Sequence, residues 1–192
     1  MKRVYREDKE TVLRLVYPEA RITAEVQRLA DEISADYAGK EILLIAVLKG
    51  AFIFAADLAR RIRLPLSVDF VELSSYSGTE TVGHVSLTRD VENSLEGKNV
   101  LVVEDIVDTG LSLAFLLAHL SRMGPESLKV CTLIDKRGRR RVDVTPDYAG
   151  IVCDDRFLVG YGLDLDERCR ELPAIYEIAT KSPGGGLNDS SM

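Results

Sequence analysis

Apolar positions along the chain change their period several times, and each change marks an element. Ile22, Val26, Leu29, Ala30, Ile33 and Tyr37 recur at helical spacing, which predicts an amphipathic helix with Thr23 as N-cap and Gly39 as its stop. Ile42–Val47 predicts a strand, the small residues from Ala51 to Arg61 a helix, and Leu66–Leu73 a second strand. Val85 and Leu87 alternate with polar neighbours, as in a hairpin strand. Val100–Val103 reads as a strand covered on both faces, followed by a helix from Leu111 to Met123 that Gly124-Pro125 ends. Leu128–Ile134 and short runs at Ile151–Cys153 and Phe157–Val159 complete the strands. Strands alternating with helices predict βαβ units, and so an α/β fold with a mostly parallel central sheet flanked by helices.

Two stretches break the pattern. Ser74–Gly83 is polar and glycine-containing, the profile of a mobile loop, and Ser182–Met192 is expected to be a disordered tail behind a single domain spanning 1–181. No internal repeat is present.

Composition narrows the function classes. The chain has 192 residues, 46% hydrophobic and 29% charged, with a net charge of −6, so binding to a nucleic-acid backbone is disfavoured. Cys131, Cys153 and Cys169 are an odd, scattered set, which points to reduced thiols in a cytoplasmic protein rather than to a disulfide framework or a zinc site. The start, MKRVYREDKE, lacks the apolar core of a signal peptide, and no apolar run reaches membrane-spanning length.

The chemistry concentrates in VLVVEDIVDTGLS, Val100–Ser112. Glu104 and Asp105 follow a buried run directly, and unpaired buried charge is expensive, so these acids belong at the carboxyl end of a strand, where open α/β sheets bind ligands. Asp108-Thr109-Gly110-Leu111-Ser112 sits where that strand hands over to a helix, which offers free backbone N–H groups, the positive end of the helix dipole and two hydroxyl donors to a phosphate. The loop is not a Walker A motif, and the GYG at Gly160–Gly162 lacks the third glycine of a dinucleotide fingerprint. Carboxylates beside a phosphate loop suit sugar hydroxyls or a divalent cation, so a phosphorylated ribose satisfies every part. The bland alternative is that the acids merely cap the next helix; one acid would suffice for that, and here there are three.

The run of four apolar residues, E-D, two apolar residues, D-T-G and a hydroxyl residue resembles the phosphoribosyl-pyrophosphate motif of the phosphoribosyltransferases. LKG at Leu48–Gly50, SSY at Ser74–Tyr76, IDKRG at Ile134–Gly138 and FLVGYGLDLDERCREL at Phe157–Leu172 occur in the order seen in hypoxanthine-guanine phosphoribosyltransferases, a likeness extending from about Val4 to Ile178. The resemblance implies a small hood built from the two chain ends, and transfer of the phosphoribosyl group from phosphoribosyl pyrophosphate to a 6-oxopurine.

Residue by residue, it implies that Glu104 and Asp105 hold the ribose hydroxyls directly or through Mg2+, with Asp164 a further magnesium-side acid. Thr109, Gly110, Leu111 and Ser112 would hold the phosphate. Asp108 would take a proton from the purine's imidazole edge, a role that suits a carboxylate where neighbouring acids and a closed site favour its protonated form. Lys136 would donate to the purine 6-oxygen; an ammonium has donors only, so adenine's amine would set donor against donor. Phe157 would stack on the base, Leu158 read its edge through the main chain, and Arg170 meet pyrophosphate. Lys49-Gly50 corresponds to a peptide often cis in the family, and Ser75-Tyr76 would open a lid through Ser77–Val82 that excludes water.

Competing readings stand beside these. Lys136 could be one surface lysine in the basic run KRGRRR, Phe157 ordinary core, and Arg139–Arg141 a solvated or interface patch. His84 and His119 match no family role, and His119 fits a core or interface position. Leu111 departs from a charged or polar family residue but keeps the main-chain N–H that the phosphate needs, whereas the departures at Leu165 and Cys169, near the base and pyrophosphate ends, leave preference among hypoxanthine, guanine and xanthine open. A phosphoribosyl-pyrophosphate-sensing nucleic-acid-binding regulator and a xanthine-preferring transferase are the alternatives. The family further implies a homodimer or homotetramer, with no membrane and no nucleic-acid partner.

Overall fold

The computed structural model describes residues 2–6, 9–76 and 84–179, with side chains from Val12 onward except those of Ser75, Tyr76, His84 and Ala179. Ten strands and three α-helices alternate along it. In order they are β1 (Lys2–Arg6), β2 (Lys9–Tyr17), α1 (Glu19–Asp36), β3 (Ile42–Leu48), α2 (Phe52–Ala59), β4 (Leu66–Tyr76) and β5 (His84–Arg89). Then come β6 (Asn99–Val107), α3 (Leu111–Ser121), β7 (Ser127–Lys136), a 3-10 turn (Arg137–Arg139), β8 (Tyr148–Cys153), β9 (Leu158–Val159) and β10 (Ile175–Ala179).

The central sheet has six strands in the order β5-β4-β3-β6-β7-β8, parallel except for the antiparallel β4–β5 pair. Its period-two side chains split cleanly between two cores. Ile42, Leu44 and Ala46 of β3, with Leu101 and Val103 of β6, face Val26, Leu29 and Ile33 of α1 and Phe54 and Leu58 of α2. Leu43, Ile45 and Val47, with Val100 and Val102, face Leu113, Leu116 and Leu120 of α3. The unbroken apolar runs of β3 and β6 therefore come from burial on both faces.

A second sheet, β1-β2-β10-β9, joins the start of the chain to its end and caps the first with a core of Leu13, Val159, Leu172, Ala174 and Tyr176. Its strands β1, β2 and β10 escape periodicity, although the hood itself was expected from the resemblance. The first helix also begins a turn earlier than the apolar stripe suggests. Pro18 stands at its N-cap, pre-set for helix entry, so Thr23 lies inside the helix rather than capping it.

The chain leaves β3 for β4 on one side of the sheet and continues from β6 to β7 and β8 on the other. The boundary between β3 and β6 is thus the topological switch point, the place where such sheets bind ligands. Among the described residues no helix is long and apolar enough to cross a membrane. Cys131, Cys153 and Cys169 all carry free thiols.

Candidate active site

Glu104 and Asp105 belong to β6 itself, which runs on to Val107 rather than ending at Val103. Pairing explains the extension. β6 stays bonded to β7 as far as Val107 opposite Asp135, but its pairing with β3 stops at Val103 opposite Ala46. Beyond that rung β3 turns away, and the two acids stand where its next rungs would have been. Burial, with Asp105 close by, pushes the Glu104 carboxyl well up, and its Oε2 is buried without a hydrogen-bond partner. Burial likewise raises Asp105 to about 6, although the backbone N–H of Ile106 donates to its Oδ1 at 2.9 Å.

Gly50, just past β3, lies against Asp105. A Cβ there would fall 1.9 Å from Asp105 Oδ2, so only glycine lets the β3 turn approach the acid. The cis peptide is Leu48–Lys49, one bond before the Lys49–Gly50 bond singled out by the resemblance. Lys49 Nζ pairs instead with Glu167 at 3.3 Å.

After Val107 the chain turns through Asp108, Thr109 and Gly110 into α3. Gly110 takes a left-handed φ of 82°, and Leu111 opens the helix as the sequence predicts. Glu104, Asp108, Thr109, Gly110 and Ser112 line a hollow of about 110 Å3 at this helix start. The segment after β7 supports the loop from behind. Arg141 donates its backbone N–H to Thr109 O at 2.9 Å, and Arg140 and Val142 side chains close on Gly110. Arg140 is therefore not part of a solvated patch. It pairs with buried Asp135 and reaches Val144 O, and together with Arg137, whose Nε donates to the other carboxylate oxygen at 2.9 Å, it neutralises a charge inside the sheet.

Lys136 ends β7 with only 5% of its surface exposed, which removes the surface-lysine alternative. Its Nζ lies 3.8 Å from Asp108 Oδ2, and Arg139 Nε lies 3.6 Å from Asp108 Oδ1. The charged groups paired with Asp108 are thus two cations; of the neighbouring acids, Asp105 lies against Gly50, while Glu104 lines the same hollow as Asp108. Asp108 Oδ1 is buried and accepts no hydrogen bond.

Phe157 is 57% exposed, so it is not ordinary core, while the next residue, Leu158, is buried in β9. Phe157 O accepts from Ile178 N at 3.3 Å, which ties this stretch to β10. His119 is no core residue either; its ring nitrogen meets Asp90 at 2.9 Å on the surface.

The hood turn supplies the last two residues. Arg170 Nη2 contacts Asp164 Oδ1 at 3.0 Å and Glu167 at 3.2 Å, and Nη1 donates to Gly162 O at 2.8 Å. Asp164 Oδ2 accepts the backbone N–H of Glu167. Asp164 and Arg170 both act electrostatically on Asp105, the acid raising and the arginine lowering its carboxyl. Gly162, with φ 100°, presses on the β3 turn, where a Cβ would meet Gly50 O at 2.1 Å. Tyr161, at φ 52°, donates its hydroxyl to Asp57 of α2 at 2.6 Å. The GYG triplet, set aside as a weak nucleotide fingerprint, is a packing device; its signal was the pairing of glycine with a left-handed turn.

The structure therefore gathers Lys49, Gly50, Glu104, Asp105, Asp108, Thr109, Gly110, Leu111, Ser112, Lys136, Asp164 and Arg170 along the carboxyl edge of β3, β6 and β7. The backbones of Ser75 and Tyr76 end β4, while their side chains and Ser77–Val82 lie outside the described residues. No three metal-type side chains cluster among the described residues, so Glu104, Asp105 and Asp164 do not form a preassembled cage. The orphaned Glu104 oxygen and the half-buried Asp105 still fit a hard cation that takes one or two carboxylates plus substrate oxygens.

A model of the phosphoribosyl transferase domain matches residues 16–166. The hypoxanthine-guanine-xanthine phosphoribosyltransferase of Tritrichomonas foetus is 42% identical over 163 residues, covering 84% of this chain and 89% of its own. The hypoxanthine phosphoribosyltransferase of Salmonella typhimurium is 41% identical over 167 residues, covering 85% of this chain and 94% of its own. Among solved structures, a hypoxanthine-guanine phosphoribosyltransferase from Bacillus anthracis superposes with a TM-score of 0.83 at 47% identity, covering 86% of this chain and 98% of its own. Those names give three different sets of bases at nearly the same identity, so overall similarity does not sort base preference.

Proposed function

The chain belongs to the phosphoribosyltransferase family, and on that premise we propose that it transfers the 5-phosphoribosyl group of phosphoribosyl pyrophosphate to hypoxanthine and guanine. The products are IMP or GMP and pyrophosphate, a purine-salvage reaction. Residues 1–181 act as one such domain. The observation that carries the choice of base is the meeting of buried Lys136 with Asp108 at 3.8 Å beside the phosphate-sized hollow. One cation facing one acceptor recognises an oxo group and a ring N–H together.

The residues divide the work along the sheet edge. Thr109, Gly110, Leu111 and Ser112 hold the 5-phosphate at the start of α3. Glu104 and Asp105 hold the ribose hydroxyls and stabilise positive charge on the sugar as its bond to pyrophosphate breaks. As the purine nitrogen bonds to that carbon, Asp108 accepts the proton of the imidazole edge. Lys136 donates to the 6-oxygen, Phe157 stacks on the ring from its exposed position, and the Leu158 main chain reads its edge. Arg170, with the Lys49–Gly50 turn, meets pyrophosphate, and Ser75-Tyr76 leads the lid. Glu104 and Asp105, with Asp164, would hold Mg2+, which supplies charge neutralisation for the departing pyrophosphate.

Free thiols at Cys131, Cys153 and Cys169 support a cytoplasmic setting, and a homodimer or homotetramer is the assembly expected of the family. Asp108, Lys136 and Phe157 together favour a transferase over a regulator that only senses the sugar.

Pyrophosphate release with magnesium and phosphoribosyl pyrophosphate, offered hypoxanthine, guanine, xanthine and adenine in parallel, tests the reading. Turnover with the first two and none with adenine is expected. Lys136→Ala should cost about a hundredfold in kcat/KM for hypoxanthine, because it unpairs both the base oxygen and Asp108. Tight sugar binding without turnover on any base would mark the regulator instead.

A further inference from the structure

The basic run after β7 does not act as a unit. Arg140 is committed inward to Asp135 and Arg141 uses its backbone on the loop before α3, whereas Arg139 stands between Asp108 and Asp155. On one side its Nε stands 3.6 Å from Asp108 Oδ1, too far for a hydrogen bond. On the other, Nη1 donates to Asp155 Oδ1 at 3.3 Å, and Asp155 sits two residues before Phe157. The guanidinium is half exposed, and the Asp108 oxygen it faces has no other partner.

We infer that Arg139 sets the affinity for the base by competing with it: it guards the acceptor oxygen of Asp108 until a purine displaces it toward Asp155. The inference rests on the function proposed above. Its logic is competition for one atom. The buried Oδ1 is the natural acceptor for a purine N–H, and Arg139 covers it by charge alone. A ring N–H approaching along the hydrogen-bond direction gains a bond that Arg139 does not make, while Arg139 keeps its bond to Asp155. Lys136, buried at the end of β7, is the other charge on Asp108 and stays in place throughout.

Substitutions at Arg139 and at Asp155 should act with opposite signs, which a purely structural role would not produce. Arg139→Gln removes the competitor and should lower the KM for hypoxanthine about two- to fivefold, the span a half-exposed ion pair supports. Asp155→Asn leaves Asp108 as the only counter-charge for Arg139 and should raise that KM by a similar factor. In the Arg139→Gln background Asp155→Asn should be silent.

The full chain is assayed with saturating magnesium and phosphoribosyl pyrophosphate, and hypoxanthine binding is titrated in parallel with magnesium and pyrophosphate present. A KM that is unchanged or raised by Arg139→Gln overturns the inference. So does an Asp155→Asn effect that survives without Arg139. A wild type that binds hypoxanthine yet transfers nothing overturns the function instead, and its binding titrations still judge Arg139. One that does neither overturns both.

Discussion

The phosphate loop at Asp108–Ser112 and the hood turn at Gly160–Arg170 serve one site but are built in opposite ways. The loop is local: a strand runs straight into a helix, and most of its functional atoms are the backbone N–H groups that any helix start leaves unpaired. The hood turn is bonded to itself, Gly160 to Leu163, Leu165 to Arg168 and Gly162 to Arg170, but it reaches the sheet edge only through contacts with elements far earlier in the chain. Tyr161, Asp166, Glu167 and Cys169 all take left-handed backbone angles, and the turn is seated where Gly162 meets Gly50 and Tyr161 bonds Asp57, both far earlier in the chain. Chemistry written in adjacent residues tolerates movement of the rest of the fold. Chemistry assembled by distant contacts fails when any of them is lost.

Substitutions can break that contrast, and the largest effect belongs to the local side. Asp108→Asn should lower kcat by about 10^2–10^4 while leaving phosphoribosyl-pyrophosphate binding and the melting temperature close to wild type. Single-turnover kinetics beside a sugar titration measures both. A wild-type rate would remove Asp108 from proton transfer.

On the assembled side, Gly162→Ala should cost roughly 2–5 kcal/mol, since the new methyl group meets the Gly50 carbonyl and the backbone stays left-handed. Gly97→Ala is the matched control, with φ 66° and open space around it, so only about 1–2 kcal/mol of backbone strain is at stake. Urea unfolding of both variants compares them. Equal losses would mean that the approach of hood to β3 is not tight.

The smallest effect sharpens the account of the acids. Asp105 titrates near 3.9 when unfolded and at about 6 in the fold, so the folded chain holds a proton more tightly. Its contribution to stability is complete below about pH 4 and is lost as pH rises through 6. A cation that binds the ionised acids reverses this loss. Magnesium should therefore raise the melting temperature more at pH 7.5 than at pH 5, by about 2–4 °C, the shift that ~1 kcal/mol gives a chain of this size. Equal shifts at both pH values would show that these carboxylates take no magnesium.

The same division decides what could be read from residues in order. β3, β6, α3 and β7 were legible because burial on two faces leaves unbroken apolar runs, and the acids stood out against them. Lys136 was legible by its place at a strand end. β1, β2 and β10 were not, because they stabilise one another across most of the chain length, and alternation such as that in Lys9–Tyr17 is weak when both chain ends must meet to form the sheet. Arg139 and Arg140 look alike in a basic run. Only the fold reveals that one answers a buried aspartate and the other stands between Asp108 and Asp155, so a run of like charges conceals two different placements.

Gly162, Gly50 and Asp105 form a column in which backbone rests on backbone and backbone rests on carboxylate, with no side chain between them to absorb a push. Such a column transmits displacement as a rigid rod does. On the roles proposed above, a tilt of the hood toward the sheet as Arg170 meets pyrophosphate would arrive at Asp105 as a movement of comparable size. Grip on the leaving group and aim at the sugar would then be a single mechanical coordinate.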